Sequence, residues 1–127
     1  MKTHMNDIQK LYYELEHFYN FNFEKYQLKN RFFCRNGNKI TWHQYEIHIS
    51  NASYIEEYQR IIDNNQYSFM IGNEHCIQLY YEYNNGLHKA NLAFYPNIDD
   101  DLNETDYLRF DCDISTHRDY IHTSYSK

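Results

Sequence analysis

In the closing stretch DYLRFDCDISTHRDYIH, Arg109, Asp111 and Asp113 recur at every second residue, with His117 and His122 close behind. In an extended segment that spacing puts the three side chains on one face, with the Cα atoms of the two aspartates about 7 Å apart. Carboxylates so placed can share a divalent cation if a third ligand folds over them. His117 would be that ligand and Arg109 would meet a phosphate, which is the chemistry of a divalent-metal nuclease or RNase-like toxin. The histidines weaken this reading, because residues five apart point in different directions on a helix and on a strand alike. No cysteine stands at zinc-ligand spacing, and a phosphate-cradling glycine loop, a nucleophile elbow and a His-Glu-x-x-His helix are all absent. The competing expectation is structural and implies no metal or cofactor. Arg109 pairs with Asp111 across a polar sheet face, Asp113 caps the turn into Ser115-Thr116, and the histidines lie on a solvated tail.

A second group of residues bears on binding. Asp99, Asp100, Asp101, Glu104 and Asp106 crowd one connection, whereas residues 25–39 carry Lys25, Lys29, Arg31, Arg35 and Lys39 with no acid. These read either as oppositely charged solvated surfaces or as an acidic patch that imitates phosphate spacing toward a basic partner. The chain holds 15 tyrosines and 8 phenylalanines, so an aromatic core is expected, with Tyr95 and Tyr107 beside the acidic run as contact residues. The stretch FFCRNGNK with Tyr26 interleaves aromatic and basic residues as nucleic-acid platforms do, but it lacks the glycines of the RNA-recognition signature. A net charge of −6 argues further against direct nucleic-acid binding. His43 and His48 read as surface residues and Cys112 as a small core residue.

The elements that must position these residues follow from periodicity. Ile8, Leu11, Tyr12, Leu15, Phe18 and Tyr19 make an amphipathic helix of about four turns from Asn6. FNFEKYQLKNRFFC can alternate as a strand, and Asn36-Gly37 turns into KITWHQYEIHIS, where Tyr45, Ile47 and Ile49 share a face. Ser53 to Glu56 is a capping box opening a second helix that runs to about Asp63, before Asn64-Asn65. YSFMI then forms a strand turning at Gly72-Asn73. With Asn85-Gly86 as a two-residue turn, Tyr81 pairs Ala90, Leu79 pairs Leu92, Ile77 pairs Phe94 and Glu82 meets Lys89. Pro96 ends that hairpin. In the last strand Leu108, Phe110, Cys112 and Ile114 point one way, toward the interior, and Tyr107, Arg109, Asp111 and Asp113 the other. The expected fold is a single α+β domain over 1–127: an antiparallel hairpin and meander sheet with two helices packed on one face. Three well-separated cysteines suit a reducing compartment, and no apolar run approaches a membrane span, so a cytoplasmic protein is expected.

The segments YSFMIGNEHCIQLYYEY, LHKANLAFYPN and DYLRFDCDISTHRDYIH resemble the C-terminal half of a prokaryotic family, domain of unknown function 2290, over about residues 67–122. Phe94, Tyr95 and Pro96 match its Tyr-Tyr-Pro-like element, and Arg109, Phe110, Asp111 and Asp113 its Arg-Phe-Asp-Tyr-Asp segment. His117 and His122 match its histidine-bearing tail. Cys112 replaces the usual aromatic, and the tail lacks the usual His-Pro pair. The resemblance implies a bacterial or phage source and no activity.

The function expected from all this is a small protein-binding module, an inhibitor or component of a phage-defence, anti-defence or toxin–antitoxin system. Its partner would be a basic protein, itself of the nucleic-acid-binding kind, with no membrane contact. The rivals are the metal nuclease above and a homo-oligomer joined by sheet edges.

Overall fold

The computed structural model describes residues 6–42, 52–97 and 107–113, together with the backbone of 118–122. Helix α1 spans Asp7–Asn22, and its start is set by Asn6, whose side chain accepts from the Gln9 amide while Gln9 returns the bond. Its inner stripe is Ile8, Tyr12, Leu15 and Tyr19. The strand expected from Phe21 onward does not form there. Asn22 still belongs to α1, Leu28 N–H bonds to Phe23 O, and Gln27 and Asn30 take left-handed backbone angles that break any ladder. Pairing begins at β1 (Phe33–Asn36), which turns at Gly37 into β2 (Lys39–Trp42). The strand expectation around Tyr45, Ile47 and Ile49 lies outside the described residues, as do His43, His48, Ile114 and the turn at Ser115-Thr116.

Helix α2 spans Tyr54–Asp63 and opens on the expected Ser53/Glu56 capping box. It closes at Asn64, with Asn65 left-handed. Four strands follow before a last short one: β3 (Phe69–Ile71), β4 (His75–Tyr83), β5 (Leu87–Tyr95), β6 (Leu108–Asp113) and β7 (Arg118–His122). All pairs are antiparallel, in the order β1-β2-β4-β5-β6-β7, and β3 shares one edge of β4 with β2. The fold is therefore α+β on an antiparallel sheet. The residues expected to be a solvated histidine tail instead include β7, whose backbone continues the sheet past β6.

Ser68 joins the shared edge. It is fully buried; its N–H donates to Ile77 O at 2.7 Å, its carbonyl accepts from Phe32 and Phe33, and its Oγ accepts from Leu79 N at 2.8 Å. The hydroxyl thus replaces a ladder partner where β3 has ended and β2 has not begun.

The β4–β5 register is the one read from the sequence, pair for pair from Ile77↔Phe94 to Glu82↔Lys89. Only the turn differs. Tyr83 pairs with Leu87 and Asn84 N–H bonds to Gly86 O, so three residues turn and a bulge restores the register.

The two helices take opposite faces of the sheet rather than sharing one. Adjacent strand residues point oppositely, and one cluster joins Tyr54, Tyr58 and Ile61 of α2 to Met70, Cys76, Ala93 and Tyr95. The other joins Tyr12, Leu15 and Tyr19 of α1 to Phe33, Phe69, Ile77, Leu79 and Tyr81. The reason is visible at β4, where Ile77, Leu79 and Tyr81 make one face apolar and Cys76, with Met70 and Tyr95 paired beside it, makes the start of the other apolar too, so each needs its own cover.

Candidate functional site

The alternation of β6 holds: Arg109, Asp111 and Asp113 share a face, and Leu108, Phe110 and Cys112 share the other. Which face is the inner one differs from expectation at the start of the strand. Tyr107 is 6% exposed and meets Tyr54 and Tyr95 edge-on, while Leu108 is 38% exposed. The polar face of β6 is therefore the α2 face, and Arg109 and Asp111 stand at the border of an aromatic core.

Registered rows run across three strands on this face. Cys76 pairs Tyr95, with Tyr107 beside it; Gln78, Ala93 and Arg109 form the next row; Tyr80, Asn91 and Asp111 the third; Glu82, Lys89 and Asp113 the last. The Arg109 Nε–H donates to Asp111 at 3.0 Å, and the Asn91 amide donates to the same carboxylate. Tyr107 hydrogen-bonds both Tyr95 and Arg109. Burial pushes the Tyr95 and Tyr107 hydroxyls above the usual phenol range, with Arg109 opposing the shift in both. Burial works against the charge on Arg109, and the Asp111 hydrogen bond and charge more than offset it. At the outer end, the Tyr80 hydroxyl donates to Glu82 at 2.6 Å and holds that half-buried residue's carboxyl below its ordinary range.

This geometry matches the structural expectation for Arg109 and Asp111. The carboxylate of Asp111 already serves an arginine and an amide, and the adjoining phenols hold their protons too firmly to act as acids or bases near neutrality. Among the described residues no three His, Cys, Asp or Glu side chains converge to hold a metal ion. His117 lies outside those residues. His122 is a β7 residue whose backbone pairs with Arg109, and Asp113 pairs with Arg118. Asp99, Asp100, Asp101, Glu104 and Asp106 lie outside the described residues. Tyr95 and Tyr107, expected as surface contacts, are core residues instead, because they face α2 across the sheet.

Two features were missed. Glu57 is 6% exposed on α2 and is paired with Arg60, which also donates to Gln66. The signal was available, since Glu57 sits on the helical stripe of Tyr54, Tyr58 and Ile61. The second feature is an aromatic ridge on the solvent side of α1. Tyr13, His17 and Phe21, four residues apart, stack in sequence with ring centroids 5.9 and 4.3 Å apart, and Phe18 stacks on Tyr26. Phe21 is 74% exposed, and Tyr13, Phe18, Phe23 and Tyr26 are exposed as well. Phe18, expected inside, belongs to this outer group. The helical period alone separates Tyr13, His17 and Phe21 from the inner stripe.

The nearby basic residues are partly engaged by the chain's own acids. Arg31 donates to Glu16 at 2.9 Å and lies 4.0 Å above the Phe33 ring, and Lys29 stands 3.9 Å from Glu74.

A family model described as an uncharacterized conserved protein (DUF2290) matches residues 27–125, which takes in α2 and the entire described sheet rather than a C-terminal half alone. No curated protein and no solved structure matches the chain.

Proposed function

Since the chain belongs to the DUF2290 family of uncharacterized conserved proteins, we propose its function from its surface chemistry: it is a small protein-binding module that docks through the aromatic ridge of α1. The observation that carries this is the exposure of Phe21, 74%, within a run of stacked rings. Contiguous apolar surface of this kind marks an interaction site, and aromatic residues are enriched where protein partners meet. The charges around the ridge balance, with Asp7, Glu14, Glu16 and Glu24 against Lys10, Lys25, Lys29 and Arg31. A protein surface fits that balance better than a phosphate backbone does, and the net charge of −6 weighs the same way and favours a basic partner. The ridge precedes the span matched by the family model, so it is argued as a property of this chain.

The finer reading belongs with this proposal: a cytoplasmic inhibitor or component of a phage-defence, anti-defence or toxin–antitoxin system. It draws on small size, acidity and three cysteines that no disulfide joins. No described helix is long and apolar enough to cross a membrane. The test is co-purification of tagged wild type, Phe21→Ser and Phe18→Ser from the native host, with mass spectrometry of what comes down. A defined protein retained by wild type and lost by the variants is expected. A wild type that comes down alone, or variants that keep the same partner, would overturn the proposal.

A further inference from the structure

At the C-terminal end of the α1 ridge, Asn20, Phe21, Phe23, Glu24 and Lys25 line an open cleft of about 640 Å³. All five are exposed, and Phe21 and Phe23 bring two phenyl rings to its wall. Lys25 Nζ lies over the Tyr26 ring, 5.3 Å from its centroid, and Glu24 is in no ion pair among the described residues. We propose that this cleft receives an arginine side chain of the partner that docks on the ridge, its guanidinium laid on a phenyl face and paired with Glu24. The site presupposes the docking role of the ridge and extends it to one side chain of the partner.

Charge, shape and precedent select that occupant. A ring face attracts a cation through its quadrupole, and a carboxylate beside it adds a full charge and two acceptor oxygens. Helix α1 ends at Asn22 with no basic residue in its last turn, so the negative end of its dipole lies at the same cleft. Together these groups draw a cation and disfavour a phosphate. A lysine ammonium is compact, strongly hydrated and without a flat face, whereas a guanidinium stacks through its plane and bonds through its edge at once. The chain already holds one arginine in this way. On another flank of α1, Arg31 lies 4.0 Å above the Phe33 ring while donating to Glu16 at 2.9 Å. The cleft offers the same two groups, a phenyl ring and a glutamate, on the adjacent residues Phe23 and Glu24, and no arginine of the chain lines it. Like the ridge, it precedes the span matched by the family model and is a property of this chain.

The probes are N-acetyl-arginine methylamide and its lysine and citrulline counterparts, each titrated into the whole chain, with the ring NMR signals of Phe21 and Phe23 reporting contact. The arginine compound is expected to shift both sets saturably and to bind about fivefold or more tighter than the citrulline compound, which keeps the shape and loses the charge. The lysine compound should fall between them. Glu24→Gln should abolish the preference for arginine over citrulline, and Phe23→Leu should weaken arginine binding about threefold or more. Both side chains are exposed, so the fold, followed by the fluorescence of Trp42, should be kept. Should a variant unfold, the wild-type preference decides. No saturable shift, equal affinity for arginine and citrulline, tighter binding of lysine than of arginine, shifts centred on other residues, or a folded Glu24→Gln that keeps the full preference would each overturn the proposal. Co-purification separates this site from the ridge. A partner lost by Phe21→Ser but kept by Glu24→Gln leaves the ridge standing and overturns the arginine site, whereas a wild type that comes down alone overturns the ridge and leaves the titration to decide the cleft.

Discussion

Replacing Asp111 by alanine separates a structural carboxylate from a catalytic one. The side chain is 21% exposed and accepts from Arg109 and Asn91, so the substitution strands one arginine and one amide. A hydrogen bond to a charged group is worth about 1.5–3 kcal/mol when buried. Because the Arg109 side chain is 38% exposed, water replaces part of the lost pairing, and its share drops to about 1 kcal/mol or less. With a similar amount for Asn91, Asp111→Ala should cost about 2 kcal/mol, or about 8 °C in Tm for a domain of this length. Asp111→Asn keeps an acceptor oxygen and should cost about half as much. A double-mutant cycle with Arg109→Ala should return a coupling of about 1 kcal/mol. Urea unfolding followed by the fluorescence of Trp42, the single, buried tryptophan, reads these differences. The reasoning fails if Asp111→Ala unfolds within about 0.3 kcal/mol of wild type and shows no coupling to Arg109. It fails more pointedly if that fully stable variant also loses a Mg²⁺- or Mn²⁺-dependent nuclease activity that wild type possesses.

Three further outcomes follow from the core and the ridge. Ser68→Ala leaves the buried Leu79 N–H without its 2.8 Å acceptor and should cost about 1–3 kcal/mol; urea midpoints equal to wild type would refute the bridging role. Burial pushes the Cys76 thiol up to about 12 from an ordinary value of 9.0, so above pH 9 the unfolded chain sheds a proton that the folded chain keeps. The stability is fully present below pH 9 and falls as pH rises toward 12, by about 1.4 kcal/mol per unit. The stability gap between wild type and Cys76→Ala should therefore shrink by about 1.4 kcal/mol between pH 8 and pH 10 in paired urea titrations, and a constant gap would count against it. Phe21→Ser should leave the urea midpoint within about 0.5 kcal/mol of wild type, because the ring is 74% exposed; a larger loss would mean that the ridge supports α1 rather than a partner.

Local chemistry was legible wherever one interaction decides the backbone. The N-cap at Asn6, the capping box at Ser53, the end of α2 at Asn64-Asn65 and the pairing of β4 with β5 all follow from neighbours in sequence or from one hairpin. The β4–β5 register survived a misread turn because four apolar pairs and Glu82↔Lys89 outweigh the preference of Asn85-Gly86 for a two-residue loop. What was illegible depends on distant partners. Alternation divides Arg109 from Phe110 but cannot say which side is inner; that is decided by α2, some 50 residues earlier, settling on the side of Tyr95 and Tyr107. The strand at Arg118–His122 was read as a tail because its sequence is polar, and its pairing is supplied by the backbone of β6.

The same alternation explains why a cluster that looks chemical near the C-terminus is better understood as scaffolding. Strand β6 has covered strands on one flank and β7 on the other, and its two faces meet different surroundings. Toward α2, Arg109 and Asp111 close the aromatic core at its wet border, where tyrosine hydroxyls and an asparagine need charged partners to be buried at all. Toward α1, Leu108 is exposed and Phe110 half-buried, and their paired residues on β5 continue the surface that α1 covers one strand further on. A polar cluster whose partners lie within the chain has its valences occupied. The residues that look like a site thus hold the border of the aromatic core in place.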